Sequence, residues 1–302
     1  MGESSQFLFG VSEFTTWPWT FEQDVAAYAR LGVNTIELCE FKLCGAGFQP
    51  AKVAGKMPAP QNAIARIRDA GLTISSVQAR THSLFPDQPR PEPKLPAERM
   101  ALLRGSIARF AKAGTNIPFV SITGAAPGGN FREAFAVAVR EYRALAEFAA
   151  DHGARVAIEP LNPILMNADT FICSLSDGLK LVEAVDHPNF GIFVDVWHVW
   201  QDAAAPELIK QCGSRIFGVH VNDWHTPRCF GDRATIGRGE IPLPKLLRAI
   251  HETGYRGAYT LEIFSSEHLP DSLWKSDLEQ VIRDNRAGLE KVWREVGYPS
   301  HS

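Results

Sequence analysis

The sequence predicts an α/β protein of the closed (β/α)8 TIM barrel class. Short apolar runs alternate with helical patterns from one end to the other. Most of the helical patterns stop at a glycine, the residue that best ends a helix. Four successive apolar runs in the second half each end in a side chain able to ligate a metal, where a β/α barrel carries its functional groups.

Phe7–Val11 is the first expected strand, and Thr20–Leu31 follows as a helix with apolar residues at Phe21, Val25, Tyr28 and Leu31 before Gly32. Strand two is Thr35–Cys39, and a helix over Gln61–Ala70 ends at Gly71. Strand three is Leu72–Gln78, followed by a proline-rich stretch, Arg80–Pro96, expected as a long loop over the barrel mouth. A helix over Ala97–Ala113 stops at Gly114 and leads to strand four, Pro118–Thr123. The long amphipathic helix Phe131–His152 ends at Gly153, and strand five is Val156–Pro160. Ser174–Val185 is a helix, Gly191–Val196 strand six, Pro206–Cys212 a short helix, and Ile216–Val221 strand seven. Leu243–Thr253 ends at Gly254, Ala258–Ile263 is strand eight, and a last helix covers Lys275–Val296. The strands are mostly apolar throughout, as parallel strands covered by helices should be. An open doubly wound sheet is the rival arrangement, but no GxGxxG turn follows an early strand. No linker divides the chain, so residues 1–302 are expected to form one domain.

Composition narrows the function. The hydrophobic content of 45% is ample for one large core. The formal net charge is −3, and no Lys/Arg cluster is long enough to track a phosphate backbone, which argues against a nucleic-acid partner. No apolar stretch approaches the roughly 18 residues of a membrane span, and no secretory signal is evident. The cysteines, Cys39, Cys44, Cys173, Cys212 and Cys229, are odd in number and form no CxxC pair. That pattern suits a reducing compartment, and a soluble cytoplasmic protein is expected.

The four runs are Val156–Ile158 into Glu159, Ile192–Val194 into Asp195, Phe217–Val219 into His220, and Tyr259–Leu261 into Glu262. Their spacings of 36, 25 and 42 residues each fit one strand-loop-helix unit. One acid at a strand end is ordinarily a cap or a salt-bridge member. Four in register on consecutive buried strands point to a shared divalent ion, because unpaired buried charge costs several kcal/mol, very roughly. Three carboxylates and one imidazole make a hard shell that favours Mn²⁺ first, then Mg²⁺, with Co²⁺ or Zn²⁺ open by affinity.

The segments IEPLN (Ile158–Asn162), VDVWH (Val194–His198), VHVND (Val219–Asp223), IGRGEI (Ile236–Ile241) and TLEI (Thr260–Ile263) resemble the xylose isomerase-like superfamily of sugar isomerases and epimerases. The resemblance implies that Glu159, Asp195, His220 and Glu262 bind one divalent metal ion. In the ketose 3-epimerase branch it further implies that Glu159 and Glu262 are the catalytic proton-transfer pair and that His198 contacts substrate. That branch has an acidic residue six positions after the strand-five glutamate, where this chain has Leu165. The expected activity is isomerisation or epimerisation of a ketose or related polyol ketone through a metal-stabilised enediolate. Lyases of the same superfamily, inosose dehydratases and C-glycoside-cleaving enzymes, begin with the same proton abstraction and remain the alternative. The apurinic endonuclease branch needs extra histidines that strand four does not supply, and a non-enzymatic sugar-binding protein would not need the metal ligands.

Further substrate-binding candidates are Arg228, His82, Trp17 and Glu37. Trp19, Phe41, Trp197, Trp200 and Trp224 lie on or beside the expected loops, and aromatic faces suit sugar C–H surfaces. Glu40 and His225 are weaker candidates, and the glycine pair of IGRGEI loosely suggests an anion-binding turn. The expected partner is a small carbohydrate, and the resemblance leaves a homo-oligomer, dimer or tetramer, open.

Overall fold

The computed structural model describes residues 7–44, 60–114, 116–226 and 231–297. Eight parallel strands close into a barrel in chain order: β1 Leu8–Ser12, β2 Thr35–Cys39, β3 Thr73–Ser83, β4 Pro118–Ile122, β5 Arg155–Ile158, β6 Phe190–Asp195, β7 Ile216–Val221 and β8 Ala258–Leu261. The last strand pairs with the first, Leu8 to Ala258 through Val11 to Leu261, so no sheet edge is left open. The helices are α1 Phe21–Arg30, α2 Pro60–Asp69, α3 Pro96–Phe110, α4 Phe131–Asp151, α5 Leu175–Val185, α6 Val196–Val199, α7 Ala205–Cys212, α8 Leu243–Glu252 and α9 Leu278–Val296.

Local chemistry sets the helix starts. Thr20 and Gln23 form a reciprocal capping box on α1, and Ser174 and Asn130 cap α5 and α4 with side-chain oxygens. Asp277 accepts from the N–H groups of Glu279 and Gln280, so the final helix begins at Leu278 and not at Lys275. Lys275 lies instead in the short 3₁₀ turn Leu273–Lys275.

Two other departures concern the mouth. Strand β3 continues to Ser83, so Arg80, Thr81 and His82 are strand and not the start of a loop. Its pairing with β4 breaks register between Gln78 and Ser83, which carries the extra residues past the barrel rim. The one-turn helix α6 follows β6 directly, with Asp195 as its N-cap.

The strand period of two divides the buried residues into an outer and an inner set. Val156, Ile158, Ile192, Val194, Val219, Val221, Tyr259 and Leu261 belong to the large core between barrel and helices. Val120, Ala157, Phe193 and Phe217 form a separate apolar cluster inside the barrel. Continuing the alternation from Ala157 and Phe193 aims Glu159 and Asp195 inward. Val219 and Val221 facing out leave His220 facing in, and Tyr259 and Leu261 do the same for Glu262.

Two bulges complete this arrangement. Ile192 pairs with Ile216, but Phe193 pairs with Gly218, so Phe217 is one residue extra and Asp195 comes to lie opposite His220. Without that extra residue Asp195 would face Val219, because a one-residue slip exchanges the two faces. A second bulge sets Glu37 of β2 opposite Ser76 of β3.

The glycines opposite the inner rings are required by space. A Cβ on Gly218 would lie 2.1 Å from the Phe193 ring, and one on Gly191 would lie 2.4 Å from the Arg215 carbonyl and 2.7 Å from the Phe217 ring. Gly218→Ala is therefore expected to cost about 1–3 kcal/mol by overpacking. Urea unfolding reads this directly, and an unchanged midpoint would contradict the packing described. Among the described residues no helix is long and apolar enough to cross a membrane.

Candidate metal centre

Glu159, Asp195, His220 and Glu262 come together at the C-terminal mouth, on four neighbouring strands. Ligand atoms of Glu159, Asp195 and His220 lie within 4.8 Å of one another, and those of Glu37, His220 and Glu262 do the same. His220 is the shared member. Its Nδ1 is 3.2 Å from Glu262 Oε2 and 3.5 Å from Glu159 Oε1. Its Nε2 is 3.0 Å from Glu37 Oε2. The Phe193 ring packs edge-on beneath the imidazole, with centroids 4.4 Å apart.

Glu37, expected to face substrate, is turned to the other side of that imidazole. It accepts hydrogen bonds from Ser12 Oγ at 2.7 Å and Ser76 Oγ at 2.5 Å as well as from His220. Burial pushes its pKa up, but the charge and hydrogen bond of His220, with the serine hydroxyls, outweigh this and hold the carboxyl below its ordinary value. With Nε2 donating to Glu37, the Nδ1 edge is the one that faces Glu159 and Glu262.

The rest of the cluster is short of partners. Glu159 Oε1, Asp195 Oδ2 and His220 Nδ1 are buried without a hydrogen-bond partner, as is the neighbouring Asn222 Oδ1. Asp195 Oδ1, in contrast, accepts from Trp197 N–H at 2.8 Å and Asn222 Nδ2 at 3.1 Å. Those bonds fix the carboxylate and leave Oδ2 directed elsewhere. Burial raises Glu159 to about 7, with the charges of Glu262 and Asp195 adding to it against His220. Burial also raises Glu262. On His220 burial acts downward, but the carboxylates of Glu262 and Glu37 outweigh it, and the ring holds its proton well above the ordinary histidine range. Buried carboxylate oxygens and an imidazole edge that meet without a well-formed hydrogen bond fit a bound cation taking the place of the imidazole proton, and three carboxylates with one imidazole suit a divalent ion.

His198 lies in α6, one turn past Asp195. Its Nδ1 accepts from the Asn162 N–H at 2.9 Å, which puts the ring proton on Nε2, 3.5 Å from Asp195 Oδ2. Burial depresses its pKa to about 3, so the ring is neutral and a donor from Nε2. His82 sits at the end of β3, with Nδ1 2.9 Å from the Ala79 carbonyl and 3.3 Å from an Arg90 nitrogen. Burial and the Arg90 charge depress it to about 3 as well.

Trp17 is half-buried and stacks on Phe14 at 6.0 Å. Trp200 and Trp224 pack together at 6.1 Å, and the Trp224 indole nitrogen is buried without a hydrogen-bond partner. Trp19 is packed against the main core, and His225 is half-buried. Glu40 does not join the cluster. It is tied to α3 through Arg109 and Ser106 and accepts from the Arg80 N–H. Arg228 lies outside the described residues.

The sequence reading passed over a different arginine. Arg233 is 4% exposed, with its guanidinium 3.7 Å from the Trp197 ring centroid and 5.6 Å from that of Phe264. Its charge acts on Asp195, Glu262 and Glu159. The available signal was its place four residues before the first glycine of IGRGEI, a weak one in a loop that holds another arginine. That glycine turn does bind an anion, but an internal one. Gly237 and Gly239 donate N–H bonds of 2.9 and 3.0 Å to Asp223 Oδ2, while Trp224 and Ile241 donate to Oδ1. The Asp223 carboxylate thus holds the loop that delivers Arg233.

Comparison with known proteins places this chain in a family. The chain is 29% identical to the L-ribulose 3-epimerase of Methylomonas sp. (strain DH-1) over 143 residues, 47% of this chain and 46% of that protein. It is 32% identical to the inosose isomerase of Halalkalibacterium halodurans over 129 residues, 41% of this chain and 44% of that protein. Each match therefore spans under half of the relative's length. Among solved structures, the IOLI protein with a binding zinc atom superposes with a TM-score of 0.77 at 17% identity, covering 97% of this chain and 99% of that one. The model of the xylose isomerase-like TIM barrel family matches residues 25–291, and the chain belongs to that family.

Proposed function

We propose that this protein is a divalent-metal-dependent isomerase or epimerase acting on a ketose or a related polyol ketone. The observation that carries the reading is the meeting of Glu159 Oε1, Asp195 Oδ2 and His220 Nδ1, all buried and unpartnered, beside the Glu262 carboxylate. These four residues would hold the ion, Mn²⁺ by preference, with Mg²⁺, Co²⁺ or Zn²⁺ as alternatives. When bound, the ion supplies Lewis acidity toward a carbonyl and its neighbouring hydroxyl.

The protein's own groups do the proton work. Glu159, whose carboxyl burial raises in the metal-free cluster, is one member of the proton-transfer pair and would be held only loosely by the ion so that it can act as a base. Glu262, raised by the same burial, is the second member of the pair. One abstracts the proton beside the carbonyl and the other returns it. His198 presents a neutral Nε2–H to a substrate oxygen, and Arg233 balances the carboxylates while Trp197 holds its guanidinium flat. Glu37 keeps the His220 imidazole oriented. Trp17 and His82 are substrate-contact candidates from the mouth, and Arg228 is retained with them.

Glu262→Gln and Glu159→Gln are each expected to lower turnover and solvent-deuterium uptake by about 10²–10⁴-fold. A Glu262→Gln protein that retains metal and exchanges deuterium as fast as the parent would remove the proposed role. Mass spectrometry of the products distinguishes the reactions: an unchanged mass supports isomerisation, and loss of water points to the dehydratase alternative.

Glu37→Gln is expected to weaken metal binding by about 10–100-fold. Chelator competition measures it, and an unchanged dissociation constant would show that Glu37 does not position the ligand.

The pH dependence follows from the protons that the metal-free cluster holds. Glu159 and His220 are both raised, so their protons are present at low pH and lost as pH rises. The ion competes with them, and its affinity should climb by about tenfold per pH unit for each proton displaced, up to about 7 for the Glu159 proton and beyond that for the His220 proton. Calorimetry in buffers of differing ionisation enthalpy should register proton release, and binding independent of pH from 6 to 8 would contradict it.

A further inference from the structure

Asn222 follows β7 on the inward face, two residues past His220, while Val221 between them is turned out into the main core. It is fully buried, and its side chain reaches Asp195 of the neighbouring strand. The amide has one orientation open to it. Its Nδ2 donates to Asp195 Oδ1 at 3.1 Å, whereas an amide oxygen turned to a carboxylate would be repelled. Asn222 Oδ1 therefore points away from Asp195, and among the described residues nothing donates a hydrogen bond to it.

A buried acceptor left open is costly, and it is satisfied when a bound group brings a proton donor or a cation to it. The place of Asn222 on Asp195 separates the two. Asp195 Oδ1 is the occupied oxygen, holding the Trp197 N–H at 2.8 Å as well, and Oδ2 is the unpartnered one. Asn222 hangs on the occupied oxygen, so its own oxygen stands beside the four ligand side chains and not among them. What it lacks is a donor, and the donor has to arrive with the ligand.

His198 also borders Asp195 and is of the opposite kind. Its Nδ1 is taken by the Asn162 N–H, which leaves Nε2–H to donate. One neighbour of Asp195 thus offers a proton and the other takes one. A carbonyl or ether oxygen answers only the first, and a hydroxyl group can answer either.

We propose that Asn222 is a specificity-determining residue whose Oδ1 accepts the proton of the substrate hydroxyl next to the carbonyl. The site then takes α-hydroxy ketones in which that hydroxyl is free, and discriminates against the same ketone with the oxygen alkylated. This rests on the reading of the carboxylate cluster as the metal centre that holds the ketone.

Hydroxyacetone and methoxyacetone test it by binding alone, since both carry a carbonyl and an α-oxygen but only the first has a hydroxyl proton to give. Their affinities for the Mn²⁺-loaded protein are read from the paramagnetic relaxation of the probes' own protons. Hydroxyacetone should bind about tenfold more tightly or better, because the ether leaves the buried acceptor open. Asn222→Leu keeps a branched side chain and removes the oxygen. It should bring the two affinities to within about twofold of each other, through weaker hydroxyacetone binding and not through stronger methoxyacetone binding. Loss of the bond to Asp195 weakens both probes alike and leaves their ratio unchanged, and thermal melts with chelator competition report whether the variant is folded and loaded. A crystal of the Mn²⁺-loaded parent protein soaked in hydroxyacetone gives the same test without a substitution, with the hydroxyl oxygen expected within about 3.2 Å of Asn222 Oδ1. Equal binding of the probes by the parent, as a metal-bound water on Oδ1 would produce, would overturn the proposal. So would an unchanged ratio in a folded, loaded Asn222→Leu, or a hydroxyl directed elsewhere in the crystal. Failure of the metal-dependent isomerase reading shows differently, as absence of solvent-deuterium uptake by every ketone tried, with the preference for the free hydroxyl intact.

Discussion

Keeping several ionisable groups out of water at one end of a barrel is the constraint on which this structure turns. Glu37, Glu159, Asp195, His220 and Glu262 are all 6% exposed or less, a placement that would be strongly unfavourable for any one of them alone. Part of the cost is met inside the protein. Ser12, Ser76, Asn222 and the Trp197 N–H donate to carboxylates, and Arg233 brings a positive charge. The remainder is visible as unpartnered atoms and as protons held at unusual pH. Those unfinished valences lie at one spot, which is why they read as a binding site and not as scattered strain.

Backbone register puts the cluster there. The bulge at Phe217 turns His220 toward Asp195, and the bulge between Ile36 and Glu37 brings Ser76 to Glu37. The glycines at 191 and 218 let Phe217 and Phe193 fill the barrel below. Thus an apolar plug fills the barrel, and above it carboxylates surround one shared imidazole. The loops then divide the mouth, with Asp223 holding the Arg233 loop on one side and the Trp274 indole joining the ends of β1 and β8 on the other.

The barrel was largely legible in the sequence because its strands are apolar runs that end in charge and its helices stop at glycine. The four converging residues were legible for the same reason: the alternation that buries Val219 and Val221 outward leaves His220 no other direction. The extension of β3 was hidden, since Arg80, Thr81 and His82 are polar and follow a bulge that carries no sequence mark. Arg233 was hidden because what distinguishes it is the Trp197 ring, 36 residues away in the chain. Glu37 was ambiguous, since its partners Ser12, Ser76 and His220 come from three other strands. The IGRGEI turn suggested an anion, and Asp223 proved to be that anion.

The most direct measurement is anomalous diffraction from crystals of the protein grown with Mn²⁺. A single strong peak is predicted between the side chains of Glu159, Asp195, His220 and Glu262, about 2.0–2.4 Å from their ligand atoms. An ordered Mn²⁺ bound by other residues, or no peak among these four at saturating metal, would contradict the account.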